Sequence, residues 1–357
     1  MKLIHCSDLH LDSKMERNLT PRQARERNRE ICKTFSRMVG YALEENVDAV
    51  LIAGDLFDTQ RVSVQTAGFV LDQIKSAENV MFFYLRGNHD GARDIFSGMQ
   101  LPDNLKTFGE CWTSYGLKGV TITGMELERQ TWTSCYDTLD LPRDQVNIVL
   151  LHGQVSTQPG EDQIALPLLK NKHIDYLALG HIHSFRKERL DDRGIWCYPG
   201  CLEGRGFDEC GQKGFVLVEV DNGGIHADFV PFAARTLHEI PVDITGLVTV
   251  NEILNAMTEA GAGISREDLV KFTLQGGYTL QTQKDLDFLK KMLEGNFYFV
   301  RIKDESSLTI QKEDYAHDVS LKGAFIRMVL ESDRTREEKD QIILTGIRAL
   351  WGEEVAL

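Results

Sequence analysis

No stretch of this chain approaches the roughly 18 consecutive apolar residues of a membrane span, although 42% of its 357 residues are hydrophobic. A membrane-embedded protein is therefore not expected. The amino terminus passes straight into the strand-like Lys2-Leu3-Ile4, without the charged, apolar and cleavage regions of a secretory signal, so the cytoplasm is the expected compartment. Cysteine is sparse and irregular. Seven are present and no Cys-x-x-Cys pair occurs, which sets aside a zinc clip. Cys197 and Cys201 flank a Pro-Gly turn with Cys210 nearby, and reduced thiols are expected there, because cytosolic disulfides are rare. No internal repeat or low-complexity tract is present. There is no glycine-rich Walker-type loop, so this chain is not expected to hydrolyse ATP by itself. A serine or cysteine nucleophile elbow is also missing. Basic charge is in deficit, with a formal net charge of −14. Nucleic-acid binding normally leaves a basic footprint, so action on DNA would call for a partner that supplies much of the grip.

What the chain does have is five short polar motifs in its first 183 residues. They are Ser7-Asp8-Leu9-His10, Gly54-Asp55-Leu56-Phe57-Asp58, Gly87-Asn88-His89-Asp90, His152-Gly153-Gln154 and Gly180-His181-Ile182-His183. Apolar runs precede them: Lys2 to Cys6, Val47 to Ala53, Val80 to Leu85, Val146 to Leu151 and Ile174 to Leu179. The motifs are thus expected in loops at the carboxyl ends of strands, where ligands bind in open α/β sheets. Half of the ten histidines fall within them. Any one motif alone reads as ordinary turn punctuation; the ordered set points to a two-metal site.

The donor types suit that chemistry. A carboxylate shared between two divalent ions holds them about 3.5–4 Å apart, close enough to clamp one phosphate and to lower the pKa of water towards neutrality. Imidazole nitrogen mixed with carboxylate and amide oxygen favours Mn²⁺, with Fe²⁺ or Zn²⁺ also suited, over Mg²⁺. A loop histidine can serve the leaving oxygen.

These motifs resemble those of the calcineurin-like metallophosphoesterase superfamily, and within it the SbcD-like branch of DNA repair exonucleases, including YhaO-type proteins. The resemblance spans Met1 to about Phe232. It implies one metal held by Asp8, His10 and His183, another by Asn88, His152 and His181, and Asp55 bridging them, with His89 acting on the leaving group. It also implies DNA as substrate, an SbcC-like or other SMC-like coiled-coil ATPase as partner, and a homodimer. Some nucleases of the superfamily carry a histidine three residues after the bridging aspartate. Here Asp58 stands in that place, as in bacterial SbcD-like sequences. Arg205, on a glycine-flanked loop, could contact a substrate phosphate or pair with Asp208 or Glu209.

The expected fold is α/β: a two-sheet sandwich flanked by helices over residues 1–232, a small α+β domain over 233–317, and a helical tail over 318–357. Thr20-Pro21-Arg22-Gln23 should cap a helix reaching about Glu44, with Ile31, Phe35, Met38 and Leu43 facing the sheet. Arg22, Arg25, Arg27, Arg29 and Lys33 on that helix read as a phosphate-facing stripe or as a solvated, salt-bridged face, Glu26 and Glu30 being interleaved. Strands after Phe185 should be antiparallel, with Asp221-Asn222-Gly223-Gly224 turning a hairpin. The small domain reads as βαβαβ-like, and the resemblance places a capping domain there. In the tail, Ile342, Ile343, Ile347, Leu350 and Trp351 make a stripe that either packs on the chain itself or docks on the ATPase. Two other activities stay open: hydrolysis of a small phosphoester, and a mainly structural adaptor role.

Overall fold

The apolar runs become strands because both faces of each are covered, which explains why they are nearly continuous rather than alternating. The computed structural model describes residues 1–13, 15, 19–58, 62–90, 96, 98–127, 134–221, 224–310 and 312–350. It comprises two units, Met1–Leu237 and His238–Leu357. In the first unit the chain runs β1 (Lys2–Cys6), α1 (Pro21–Glu44), β2 (Ala49–Ala53), α2 (Val64–Ser76), β3 (Met81–Leu85), β4 (Leu105–Thr107), β5 (Thr113–Leu117) and β6 (Val120–Gly124). It continues through α3 (Cys135–Thr138), β7 (Val146–His152), β8 (Gln154–Ser156), β9 (Gln163–Ala165), α4 (Leu166–Leu169) and β10 (Tyr176–Gly180). Four strands complete it: β11 (Arg186–Arg189), β12 (Ile195–Tyr198), β13 (Gly214–Asp221) and β14 (Gly224–Pro231).

These strands form two six-stranded sheets, ordered β14-β13-β1-β2-β3-β4 and β11-β12-β10-β7-β6-β5. Alternation along each strand assigns the layers. Leu3, Ala49 and Leu51 meet Ile148, Leu150, Tyr176 and Ala178 between the sheets. Ile4, Cys6, Val50 and Ile52 face the other way, onto Ile31, Phe35 and Met38 of α1 and Val70 and Ile74 of α2. The sandwich flanked by helices is therefore as expected. Because β1, β2 and β3 are mutually parallel, as are β7 and β10, the ends that carry the five motifs gather on one rim of each sheet.

Several local expectations are corrected. Leu43 is 42% exposed, and Val39 and Ala42 are the buried residues of that last turn. Thr20 and Gln23 do form the capping box. Arg27 is buried rather than part of a solvated face: its guanidinium reaches Glu203, the Gly204 carbonyl and Glu30. β12 is parallel to β10 and antiparallel only to β11. The β13–β14 hairpin pairs as expected, though Asn222 and Gly223 of its turn lie outside the described residues. No element is expected from the sequence over β5 and β6, which pair as a hairpin. Its turn residues Lys118 and Gly119 both have positive φ, at 46° and 83°, as a two-residue hairpin turn demands.

The second unit contains β15 (Leu237–Asp243), α5 (Val250–Ala260), β16 (Leu269–Gln275), β17 (Gly277–Tyr278), α6 (Leu286–Leu293), β18 (Phe299–Asp304) and β19 (Ser307–Leu308). The sheet order β15-β16-β18, with β16 parallel to β18, fits the alternating pattern read there. Its tail helices, α7 (Leu321–Glu331) and α8 (Arg336–Leu350), bury Ile326, Val329, Ile343 and Ile347 against Leu280 and Leu308. Trp351 lies outside the described residues. Among the described residues no helix is long and apolar enough to cross a membrane, and no disulfide joins the cysteines.

Candidate metal centre

Beyond β1 and β2 the two loops stay paired. Asp8 N donates to the Gly54 carbonyl at 3.0 Å, His10 N to that of Asp55 at 3.0 Å, Leu11 N to that of Leu56 at 2.9 Å and Asp58 N to that of Leu11 at 3.1 Å. This continuation carries Asp8, His10 and Asp55 to the rim as buried polar side chains. Four of the candidate ligands have left-handed or otherwise positive φ: Asp8 at 52°, His10 at 47°, Asp55 at 50° and His181 at 104°. Non-glycine residues adopt such angles at some energetic cost, and they cluster at functional sites.

The loops bring donor atoms from both sheets together. Asp8, His10 and His183 form one group whose ligand atoms lie within 4.8 Å of one another, and Asp8, Asp55 and His152 form a second. Asp58, His10 and His89 make a third, overlapping group. Within the first, the Nε2 atoms of His10 and His183 are 3.3 Å apart, and His183 Nε2 is 3.6 Å from Asp8 Oδ1. In the second, His152 Nε2 is 3.4 Å from Asp55 Oδ2 and 3.1 Å from Asn88 Oδ1. Asp55 Oδ2 also lies 3.9 Å from His10 Nε2, so this carboxylate stands between the two groups. The ring of His181 packs edge-on against His152 with centroids 5.3 Å apart, and its backbone N donates to both Asp8 oxygens. His89 is half-exposed; its ring lies 5.1 Å from that of His10 and its backbone N donates to Asp55 Oδ1 at 2.9 Å.

The histidines are held from behind. His183 Nδ1 lies 2.7 Å from Glu209 Oε1, and His152 Nδ1 lies 2.9 Å from the Ala53 carbonyl. Such partners keep the proton on Nδ1 and turn Nε2 towards the centre. The Nε2 atoms of His10 and His183 also approach within 3.3 Å of each other. A shared cation suits that arrangement, and the mixture of imidazole and carboxylate donors fits a divalent metal. The electrostatics agree. Burial opposes charge on Asp55, yet His152 and His10 hold its carboxyl below the usual range. His152 is buried as well, but Asp55 lifts it to about 9. Burial lowers His10, while Glu209 outweighs burial to raise His183.

Asp90 closes the third motif. It is fully buried and accepts from Phe57 N at 2.8 Å and Gly87 N at 2.7 Å, bracing the loop that carries Asn88 and His89. Burial raises its carboxyl to about 7. Glu209 and the Ala53 carbonyl were missed as supports. Glu209 lies 26 positions beyond His183 with no spacing rule to link them, and a backbone carbonyl carries no residue-type signal. Arg205 donates to Asp58 Oδ1 and to Glu209 Oε1, each at 2.8 Å.

A family model described as calcineurin-like phosphoesterase matches residues 1–185. A protein named uncharacterized metallophosphoesterase YhaO, from Bacillus subtilis, is 28% identical over 301 residues, covering 77% of this chain and 72% of that one. The DNA double-strand break repair protein Mre11 of Saccharolobus solfataricus is 23% identical over 382 residues, covering 99% and 96% respectively. Its namesake from Methanopyrus kandleri is 28% identical over 318 residues, covering 78% and 68%.

Proposed function

The chain belongs to the calcineurin-like phosphoesterase family, and from that premise we propose that it is a two-metal phosphodiesterase that digests DNA as an exonuclease, in the cytoplasm, together with a coiled-coil ATPase. The observation that carries the reading is the convergence of Asp8, His10, Asp55, His152 and His183 from both sheets on one rim. Asp8, His10 and His183 would hold one ion, Asn88, His152 and His181 the other, and Asp55 would bridge them. Two divalent ions, most suitably Mn²⁺, would supply an activated water at neutral pH and offset charge on the phosphoryl oxygens.

The remaining steps belong to the chain. His89 is exposed at the rim, where it can meet a phosphodiester and give a proton to the leaving oxygen. The Asp55 contact to its backbone N sets the loop that aims it. DNA as the substrate is supported by two relatives named as DNA double-strand break repair proteins, one of them aligned over nearly the whole chain. The tail supports a docking role only through its outward face, where Leu321 and Met328 are 72% and 65% exposed.

A second reading, hydrolysis of a small phosphoester, is favoured by the net charge of −14. The deciding experiment is Mn²⁺-dependent digestion of end-labelled single- and double-stranded DNA, with His181→Ala as control. Degradation that is lost in the variant is the expected result. Cleavage of a nitrophenyl phosphodiester with no attack on DNA, even with the ATPase supplied, would transfer the assignment to a small substrate. Inactivity on both substrates after full metal loading would favour an adaptor.

A further inference from the structure

The two histidines of one ligand group share a kind of support that His152, in the other group, does not use. His183 Nδ1 sits 2.7 Å from Glu209 Oε1. His10 Nδ1 sits 3.0 Å from Asp58 Oδ1, an ion-pair contact without full hydrogen-bond alignment. Both carboxylates then meet one guanidinium. Arg205 Nη2 donates to Glu209 Oε1 at 2.8 Å and Nη1 to Asp58 Oδ1 at 2.8 Å, while its backbone N donates to Glu209 Oε2 at 2.7 Å. The arginine side chain is 18% exposed, and its fork is turned inward onto these partners. His152, in the other group, uses the Ala53 carbonyl and no carboxylate on its Nδ1.

A carboxylate behind a ligand imidazole fixes its tautomer and orientation and raises its basicity. Two such carboxylates drawn towards one centre repel each other, and a planar guanidinium between them offsets that repulsion while setting their spacing. An ammonium is a single point charge and cannot fix both at once.

We propose that Arg205 is a positioning residue that, through Asp58 and Glu209, sets the affinity of the ion site formed by Asp8, His10 and His183, and is not a contact for substrate phosphate. The proposal rests on the two-ion reading above. Loss of an outer partner of this kind lowers metal affinity about 10–100-fold. The selectivity is the specific claim: the site of Asn88, His152 and His181 keeps its affinity.

The test is calorimetric titration of the metal-free full chain with MnCl₂, comparing wild type with Arg205→Ala, Arg205→Lys and Asp58→Asn. Wild type binds two ions. Arg205→Ala weakens one site about 10–100-fold and spares the other, Asp58→Asn weakens the same site, and Arg205→Lys falls between. If Arg205→Ala does not fold, Asp58→Asn and Arg205→Lys carry the comparison. Failure of the wild type to take up Mn²⁺ defeats the two-ion reading itself. Two wild-type sites that persist unchanged in the variants overturn the role of Arg205 alone. Equal weakening of both sites overturns it too, because that outcome marks general structural damage.

Discussion

The Nδ1 of His152 lies 2.9 Å from the carbonyl oxygen of Ala53. A carbonyl only accepts, so Nδ1 carries a proton in every state and Nε2 alone faces the centre. This contact depends on two glycines. A methyl on Gly180 would fall 1.8 Å from the Ala53 oxygen and 2.8 Å from Nδ1, and one on Gly54, whose φ is 93°, would fall 2.1 Å from Nδ1. Gly180→Ala and Gly54→Ala should therefore displace the ring, and a misplacement near 1 Å costs about 100-fold in rate. Steady-state turnover with bound Mn²⁺ counted in parallel will show whether both fall together.

Asp55 and His89 should separate cleanly. Asp55→Asn and His181→Ala are expected to abolish turnover by removing metal, which elemental analysis of dialysed protein will register. His89→Ala should retain its metal and lower the rate by about 10²–10⁴-fold. Full activity in His89→Ala would remove it from the mechanism.

Arg27 is 1% exposed and faces Glu203, itself 1% exposed and further bound by Thr34 Oγ1 at 2.6 Å. Removing one partner of a buried pair strands the other charge, at about 3–5 kcal/mol. Arg27→Ala should lower the urea midpoint accordingly. A loss below about 1 kcal/mol, the range of exposed pairs, would mean that water reaches Glu203.

His5 should make the protein acid-sensitive. It is fully buried between the sheets, with Nδ1 2.8 Å from Tyr176 Oη, and burial lowers its pKa from 6.5 to about 3. A depressed pKa means that the unfolded chain takes up the proton first. The contribution is thus complete above pH 6.5 and is lost as pH falls towards 3. The slope is roughly 1.4 kcal/mol per pH unit. His5→Gln should flatten the stability profile in that window while leaving the profile above pH 7 parallel to wild type.

Removal of residues 318–357 should destabilise the second unit, since Leu280 and Leu308 lose the cover of Ile326, Val329, Ile343 and Ile347. A truncated chain that melts as wild type does would free the whole tail for partner docking.

The parts of this architecture that were legible are those with a local signature. β1 could be bounded from its apolar run, and Thr20 with Gln23 fixed the start of α1, because period, capping and burial agree there. The five motifs marked the rim for the same reason: each follows a buried strand. Contacts between distant segments were not legible. Arg27 looked like one more charge on a solvated helix, and only the fold reveals Glu203 and Gly204 beneath it. Leu43 continued an apolar stripe on paper, yet the last turn of the helix packs through Val39 and Ala42 and leaves Leu43 exposed. The sequence leaves Arg205 two possible roles, and no spacing rule links it to Asp58, 147 positions away.

The ladder that links the first two loops, from Asp8 N on Gly54 O to Asp58 N on Leu11 O, has a kinetic implication. Fixing one residue's backbone costs about 1–2 kcal/mol, and these loop hydrogen bonds offset part of it without calling on an ion. For these two loops, ion capture is then expected to require no ordering step. Loading should proceed at a rate set by diffusion and by dehydration of the cation, and exchange of one metal for another should leave the rim's backbone in place.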